Sequence, residues 1–435
     1  EIFTRWVEVS GLSNAKTDKT LTSVDGRLHV RWDLQGNGKT WLLGGMGVEH
    51  GAVDVGAMHE VLTLDGPVAV DRALGGHLDW SGGSVPESEV VRGTRLAIFG
   101  PDLRAPMTTR AALGLYQYLP GGFRVGVSGT FRHTQFILRR ADLNRLLEAV
   151  GADQNGRPVY GDLRIVSGVL FADPATSRRF PGFESVWALN PDGWSKYSGV
   201  TVSFDGSILG QGSISVEYTY SRTRDNWVGA SEGGALAQLP AELPIEDWDE
   251  SVSDFDVPHR LSAMLVLPLP LPGESFLSGL YTFRSSPPFT PRVATGLDAN
   301  GDGSPFNDVA FVPASGGGIE ELAEEWTCIS EALGSFPERN SCRADALHTV
   351  DLRLSLGLPE FRGVATAIVV DGLNLTDTDM GIRDDNLLVL GGGSVSRVGE
   401  QLHVPYKVNP GFGNWVFRGD TGRMLRVGLR IGGVR

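Results

Sequence analysis

The sequence predicts an all-β protein, an antiparallel transmembrane β-barrel with long extracellular loops. Three observations predict it: strict two-residue alternation, strands near ten residues long, and connections that alternate between short and long. In Arg27–Leu34, Leu28, Val30, Trp32 and Leu34 share one face, and Arg27, His29, Arg31 and Asp33 the other. In Phe123–Arg132, Phe123, Val125, Val127 and Phe131 oppose Arg124, Ser128, Thr130 and Arg132. In Ser213–Ser221, Ile214, Val216, Tyr218 and Tyr220 oppose serines, Glu217 and Thr219. Thr349–Leu358 and Met424–Ile431 repeat the pattern with Leu, Val and Ile against Asp351, Arg353, Arg426 and Arg430. A period of two places one apolar and one polar face on each strand. A soluble strand averages about 5–6 residues, and a membrane strand needs about 9–11. The polar faces suit a hydrated lumen, and the apolar faces, with Trp or Tyr near their ends, suit lipid.

The competing fold is a large soluble antiparallel sheet with one wet face. Loop length separates the two. Leu119–Gly122, Asp205–Gln211, Pro268–Gly273 and Pro359–Gly363 are short, and Gly66–Thr94, Asp142–Ser195, Arg222–Val257 and Ser285–Leu347 are long. Short turns at one end and long polar loops at the other are the habit of an outer-membrane barrel. About fourteen or fifteen strands are expected from the alternating segments.

Composition agrees. Asp and Glu number 52 against 38 Lys and Arg, a net charge of −14, which argues against a nucleic-acid partner. The 58 glycines in 435 residues are roughly twice the usual share and, with 24 prolines, suit strands and turns. The apolar run Leu261–Gly273 is too short for a membrane helix and is broken by Pro268, Pro270 and Pro272. The chain starts at Glu1 with no basic and apolar leader, the expectation being that a signal peptide is absent or removed.

The acidic stretch Gly233–Asp256 is expected to serve solubility. Ile319–Leu333 carries Ile319, Leu322, Trp326, Ile329 and Leu333 at helical spacing, which predicts a helix inside a loop. Cys328 lies on it. Cys328 and Cys342 show no metal-binding spacing, and a disulfide is favoured over two separate thiols.

Asp298, Asn300, Asp302 and Asp308 are the candidate metal ligands. Asp-x-Asn-x-Asp-Gly matches the first half of a Ca²⁺ loop, but its twelfth position is Val309, where a bidentate Glu belongs. A turn closed by Asx hydrogen bonds is favoured over a bound ion. No cofactor is required. The scattered histidines form no catalytic motif, and no enzyme activity is expected. Leu352, Leu354, Leu356, Leu425, Val427 and Leu429 are expected to face lipid, and Asp351 and Arg353 the lumen. Arg at Ser355 is expected to cost little.

GRLHVRWDLQGNGKTWLLGGMGVEHG (Gly26–Gly51), Ala105–Asn144, Tyr197–Asn226, Asp256–Thr290, DANGDGSPFND (Asp298–Asp308), Arg339–Leu358 and DGLNLTD (Asp371–Asp377) follow one another in an order that resembles the TonB-dependent outer-membrane receptors of the Oar-like group. That group carries an N-terminal carboxypeptidase-regulatory-like domain. The resemblance implies a barrel of about 22 strands, a periplasmic plug, and energy supplied through the TonB complex. Residues 1–435 are then expected to be the C-terminal portion of such a barrel, with plug and N-terminal domain outside it. The ending LRIGGVR departs from the aromatic last residue usual in the family. The implied partners are outer-membrane lipid, TonB and an unidentified extracellular ligand. The alternative is an extracellular β-rich binding or adhesion module with calcium-ordered loops.

Overall fold

The computed structural model describes residues 24–51, 95–100, 103–180, 183–226, 250–271, 273–361, 364–379, 381–418 and 422–433. The expected loop Gly66–Thr94, most of Gly233–Asp256, and the terminal Val434 and Arg435 lie outside the described residues.

Eleven strands follow one another along a continuous antiparallel path. They are β1 Gly26–Asp33, β2 Thr40–His50, β3 Met107–Leu119, β4 Phe123–Asp142, β5 Ser185–Ile208, β6 Gly212–Asp225, β7 His259–Pro268, β8 Phe276–Arg284, β9 Leu347–Phe361, β10 Val364–Leu373 and β11 Met424–Gly433. Two short strands flank the path: Arg95–Phe99 runs parallel to the start of β5, and Ser251–Val252 pairs with the end of β6. Among the described residues the path holds eleven strands, against the fourteen or fifteen expected of the whole chain. Stretches such as Asn386–Leu390 and Tyr406–Val408 do form strands, but they pair with each other inside a loop.

Every odd connection is tight and every even one long. The strand ends joined across 34–39, 120–122, 209–211, 269–275 and 362–363 lie at one end of the path, and those joined across 51–106, 143–184, 226–258, 285–346 and 374–423 at the other. The tight ends use left-handed backbone where sterics demand it. Gly121 and Gly122 both have φ 82°, which glycine adopts without a Cβ clash.

Register sorts the two faces. Leu113 pairs with Gly129, Gly129 with Val200 and Val200 with Tyr220, so these share the outer face. Leu28, Val30, Leu113, Val127, Phe131, Val200, Val202, Leu425, Val427 and Leu429 are exposed apolar side chains on it. Trp194 and Phe204 lie ten positions apart on this face of β5, the reach of a membrane strand. The inner face is polar. Thr108 meets Thr134, Thr201 meets Thr219 and Thr282 meets Thr349 through hydroxyl hydrogen bonds of 3.0, 2.8 and 2.6 Å. Arg124 donates to Asp205 at 2.8 Å, Arg353 pairs with Asp371, and Arg27 and Arg110 converge on Glu49.

Leu352, Leu354 and Leu356 pair with Gly372, Val370 and Ile368, and Arg353 with Asp371, so the expected faces of β9 separate as the alternation predicts. The expected tolerance at Ser355 is corrected. Ser355 is 0 % exposed. It stands between Phe276 and Val369, and Gly273 lies against Gly357, two positions further along the same face. There Gly357 N–H donates to Ser275 Oγ at 2.9 Å. An arginine at Ser355 would have to displace the groups that bury it.

Candidate functional site: a cored loop layer

Among the described residues, the largest apolar core lies among the long loops, outside the path strands. Val159, Leu163, Leu170 and Ala172 come from 143–184. Val293, Val312, Ile319, Leu322 and Ile329 come from 285–346, and Leu387, Leu388, Leu402, Val404 and Phe412 from 374–423. Three connections therefore fold as one unit at the long-loop end. β4 and β5 rise into it well beyond membrane length. Their upper halves, with Arg95–Phe99, bury Ala97, Leu138 and Leu189 on one side and Leu96, Ile98, Val186 and Ala188 on the other.

Local sequence sets the pieces. Leu163–Val166 and Val169–Ala172 form a hairpin whose two turn residues, Ser167 and Gly168, have φ 52° and 80°, the positive angles that match hairpin twist. The helix expected over Ile319–Leu333 is present but divided into α1, Ile319–Glu325, and α2, Thr327–Glu331. Trp326 interrupts it with extended backbone. Its ring lies 5.5 Å from both Phe289 and Phe412, edge to face. A Cβ at Gly413 would run into that ring. Glu320 opens α1 and accepts the Gly316 N–H at 2.7 Å, a bond that holds its carboxyl below the usual range.

Cys328 on α2 is bonded to Cys342, with Cα atoms 5.1 Å apart. Cys342–Arg343 in turn pairs with Pro288–Phe289, so the bond ties α2 to a two-stranded ribbon. Alkylation of the unreduced protein followed by mass spectrometry is expected to find no labelled cysteine. Two labelled thiols would refute the bond.

Buried Arg157 and Arg339 and half-buried Arg343 join the loops to one another and to the barrel. Arg157 is 0 % exposed. It lies 3.7 Å from Asp153 and 3.6 Å from Asp308, donates to the Val309 carbonyl and faces the Phe336 ring. Arg339 pairs with Asp225 at the end of β6 and donates to Asp254 at 2.9 Å. Arg343 reaches Asp256 at 2.9 Å. A charge in a low-dielectric interior persists only when paired, which makes these contacts specific for one loop arrangement.

The Asp298 loop lies within this layer. Asp298, Asn300, Asp302 and Asp308 are all buried. Asp298 accepts the N–H of Gly301 at 2.8 Å and of Gly303 at 3.0 Å, Asn300 that of Asp302 at 2.8 Å, and Asp302 that of Ser304 at 2.8 Å. Asp308 accepts the Ala299 N–H at 3.0 Å and faces Arg157. These are successive Asx turns. Gly301 and Gly303 have φ 74° and 91° and lie against Ala172 and Arg178 of the neighbouring loop. Among the described residues, no three His, Cys, Asp or Glu side chains stand close enough together to hold a metal ion. Calorimetric titration of calcium into the wild type and into Asp302→Ala is expected to give equal heats. A binding heat lost in the variant would assign calcium to the loop.

The sequence places Cys328 on the helix, with the helix's apolar stripe against a neighbouring loop, and leaves the Asp298 loop apart. It does not show that 143–184 and 374–423 are the loops that share their core. The signal was present in the apolar runs Val169–Ala172 and Asn386–Leu390, which a solvated loop has no use for.

The family described as "Outer membrane beta barrel domain" matches residues 5–377. No curated protein matches. Among solved structures, the outer membrane transporter YddB from Escherichia coli is 13% identical, with a TM-score of 0.46, over 92% of this chain and 39% of its own. The FrpB iron transporter from Neisseria meningitidis is 10% identical, with a TM-score of 0.42, over 94% of this chain and 39% of its own. The siderophore receptor PirA from Acinetobacter baumannii is 11% identical, with a TM-score of 0.41, over 93% of this chain and 40% of its own. The chain thus spans about two fifths of each of these proteins.

Proposed function

The chain belongs to the outer membrane beta barrel domain family, and from that premise we propose that it is the C-terminal barrel portion of a TonB-dependent receptor, of the Oar-like group, that takes up an extracellular ligand. The bacterial outer membrane is its location. The observation that carries the proposal is the cored loop layer. Solvated connections would suffice to join strands, whereas burial of Val293, Ile319, Leu387 and Phe412 gives a shaped surface at the outer mouth. The layer would capture the ligand, and a plug moved by TonB would open the lumen. No covalent step is needed, so the protein is proposed to act without catalysis. The outward apolar band favours this reading over the adhesion module, whose strands would meet water.

Sidedness tests it. Leu147 in a long loop and Leu209 in a tight turn are 79 % and 76 % exposed. Cysteine at either position would therefore react alike in a soluble protein. In intact cells, a membrane-impermeant maleimide is expected to label Leu147→Cys and to spare Leu209→Cys until the cells are lysed. Labelling of both in intact cells would overturn the proposed orientation.

A further inference from the structure

The outer face of the barrel is not uniformly covered by side chains. A groove of about 600 Å³ opens on it where β3, β4, β5 and β6 meet. Its floor is made of small residues, Ala111, Gly129 and Ser198, and its walls are Leu113, Phe131, Val200 and Tyr220. Cross-strand pairing explains the dent. Gly129 sits directly between Leu113 and Val200, with Val127 and Phe131 two positions away along its own strand. Four tall apolar side chains therefore surround a residue with none. A Cβ added at Gly129 would meet no atom within 4 Å.

The rim has a polarity. Arg222, paired with Ser198, closes the groove at its loop-ward end. One step further along the same face stand Lys196 and Arg224, paired with each other across β5 and β6, and His133 beside Lys196. Lys196 lies over the Trp194 ring at 4.4 Å. Among the described residues, Glu250 is a carboxylate nearby, 3.2 Å from Arg224 and 3.9 Å from Lys196. A cationic rim above an apolar slot, on a face turned to the bilayer, matches a molecule with an acyl chain and an anionic head.

We propose that this groove is a lipid-binding site that seats one acyl chain over Gly129 and holds the lipid's phosphate on Arg222, with Lys196 adding charge. The occupant is a phosphorylated lipid of the leaflet on the long-loop side. The proposal rests on the membrane reading of the outer face, and it adds a specific lipid position to that reading. Guanidinium suits this role because its planar donors match phosphate oxygens.

Native mass spectrometry of the full chain in an uncharged detergent tests it, with phosphatidic acid as the probe. Diacylglycerol with the same chains removes the phosphate, and inorganic phosphate removes the chains. The wild type is expected to retain phosphatidic acid about tenfold better than diacylglycerol. Arg222→Glu is expected to lose that preference, and Gly129→Leu to lose both lipids by filling the slot. Inorganic phosphate in excess is expected to displace neither. Heat-dependent gel migration reports barrel formation for each protein. A wild type that shifts on heating but retains no phosphatidic acid overturns the lipid site alone. Retention unchanged in both variants, or displacement by inorganic phosphate, also overturns it. A wild type with no heat shift overturns the membrane reading and the site together.

Discussion

Replacing Arg157 by methionine is expected to destabilise the loop layer by about 3–5 kcal/mol, the cost of leaving buried carboxylates without their cation. Methionine keeps much of the volume and removes the charge. Asp153 and Asp308 remain at 0 % and 2 % exposure, in an interior that solvates anions poorly. Both carboxylates also accept backbone N–H groups, from Asn155 and Arg157 for Asp153 and from Ala299 for Asp308. Losing Arg157 therefore loosens the turns that those N–H groups close, in 143–184 and 285–346 together. Limited proteolysis is the measurement, since the strands below hold their own ladders. Cutting within 285–346 is expected to accelerate while heat-dependent migration of the barrel stays unchanged. Adding Asp308→Asn should recover part of the loss, because asparagine still accepts the Ala299 N–H and carries no charge. An Arg157→Met protein cut at the wild-type rate would refute the pivotal role of this side chain.

The barrel was legible in the sequence because its information is local. Leu352, Arg353 and Leu354 announce their faces from three adjacent letters, and pairing with Asp371 and Val370 only confirms the alternation. The tight turns were legible for the same reason. The loop layer was not. Gln154 donates to the Val404 carbonyl at 2.7 Å and accepts the Val404 N–H at 3.0 Å, across 250 positions of sequence. Gln401–Leu402 pairs in parallel with Ala152–Asp153 in the same place. No periodicity marks such a contact, because short irregular segments sample every residue type. Ser355 shows the converse limit. Alternation assigned it to the inner face correctly, but it gave no notice that the side chain would be fully buried there. The cysteine pair was the exception, as two residues of one rare type suggest their own partnership.

The second large effect is expected from two arginine substitutions three residues apart on β7. Leu265 pairs with Ile214 and Gly279 and lies on the outer face. Ser262 pairs with Glu217 and Thr282 and lies on the inner face, where it is exposed. In a soluble sheet with two wet faces, Leu265→Arg would be the milder change, since it removes an exposed apolar side chain. In a membrane barrel the order reverses. Leu265 stands three positions from the tight-turn end of β7, and Leu265→Arg is expected to cost about 2 kcal/mol, between the interfacial and mid-membrane values, because a guanidinium must leave water or drag water into lipid. Ser262→Arg places the same group in a hydrated lumen directly across from the Glu217 carboxylate. It is expected to cost less than about 1 kcal/mol, the range of exposed charge pairs. Refolding into uncharged detergent micelles or lipid vesicles, followed by denaturant titration, measures both. The two arginines share strand and neighbourhood, and the difference in strand propensity between the leucine and the serine they replace stays within about 1 kcal/mol. What remains is the medium each face meets, and equal costs at the two positions would mean that both faces of β7 meet water.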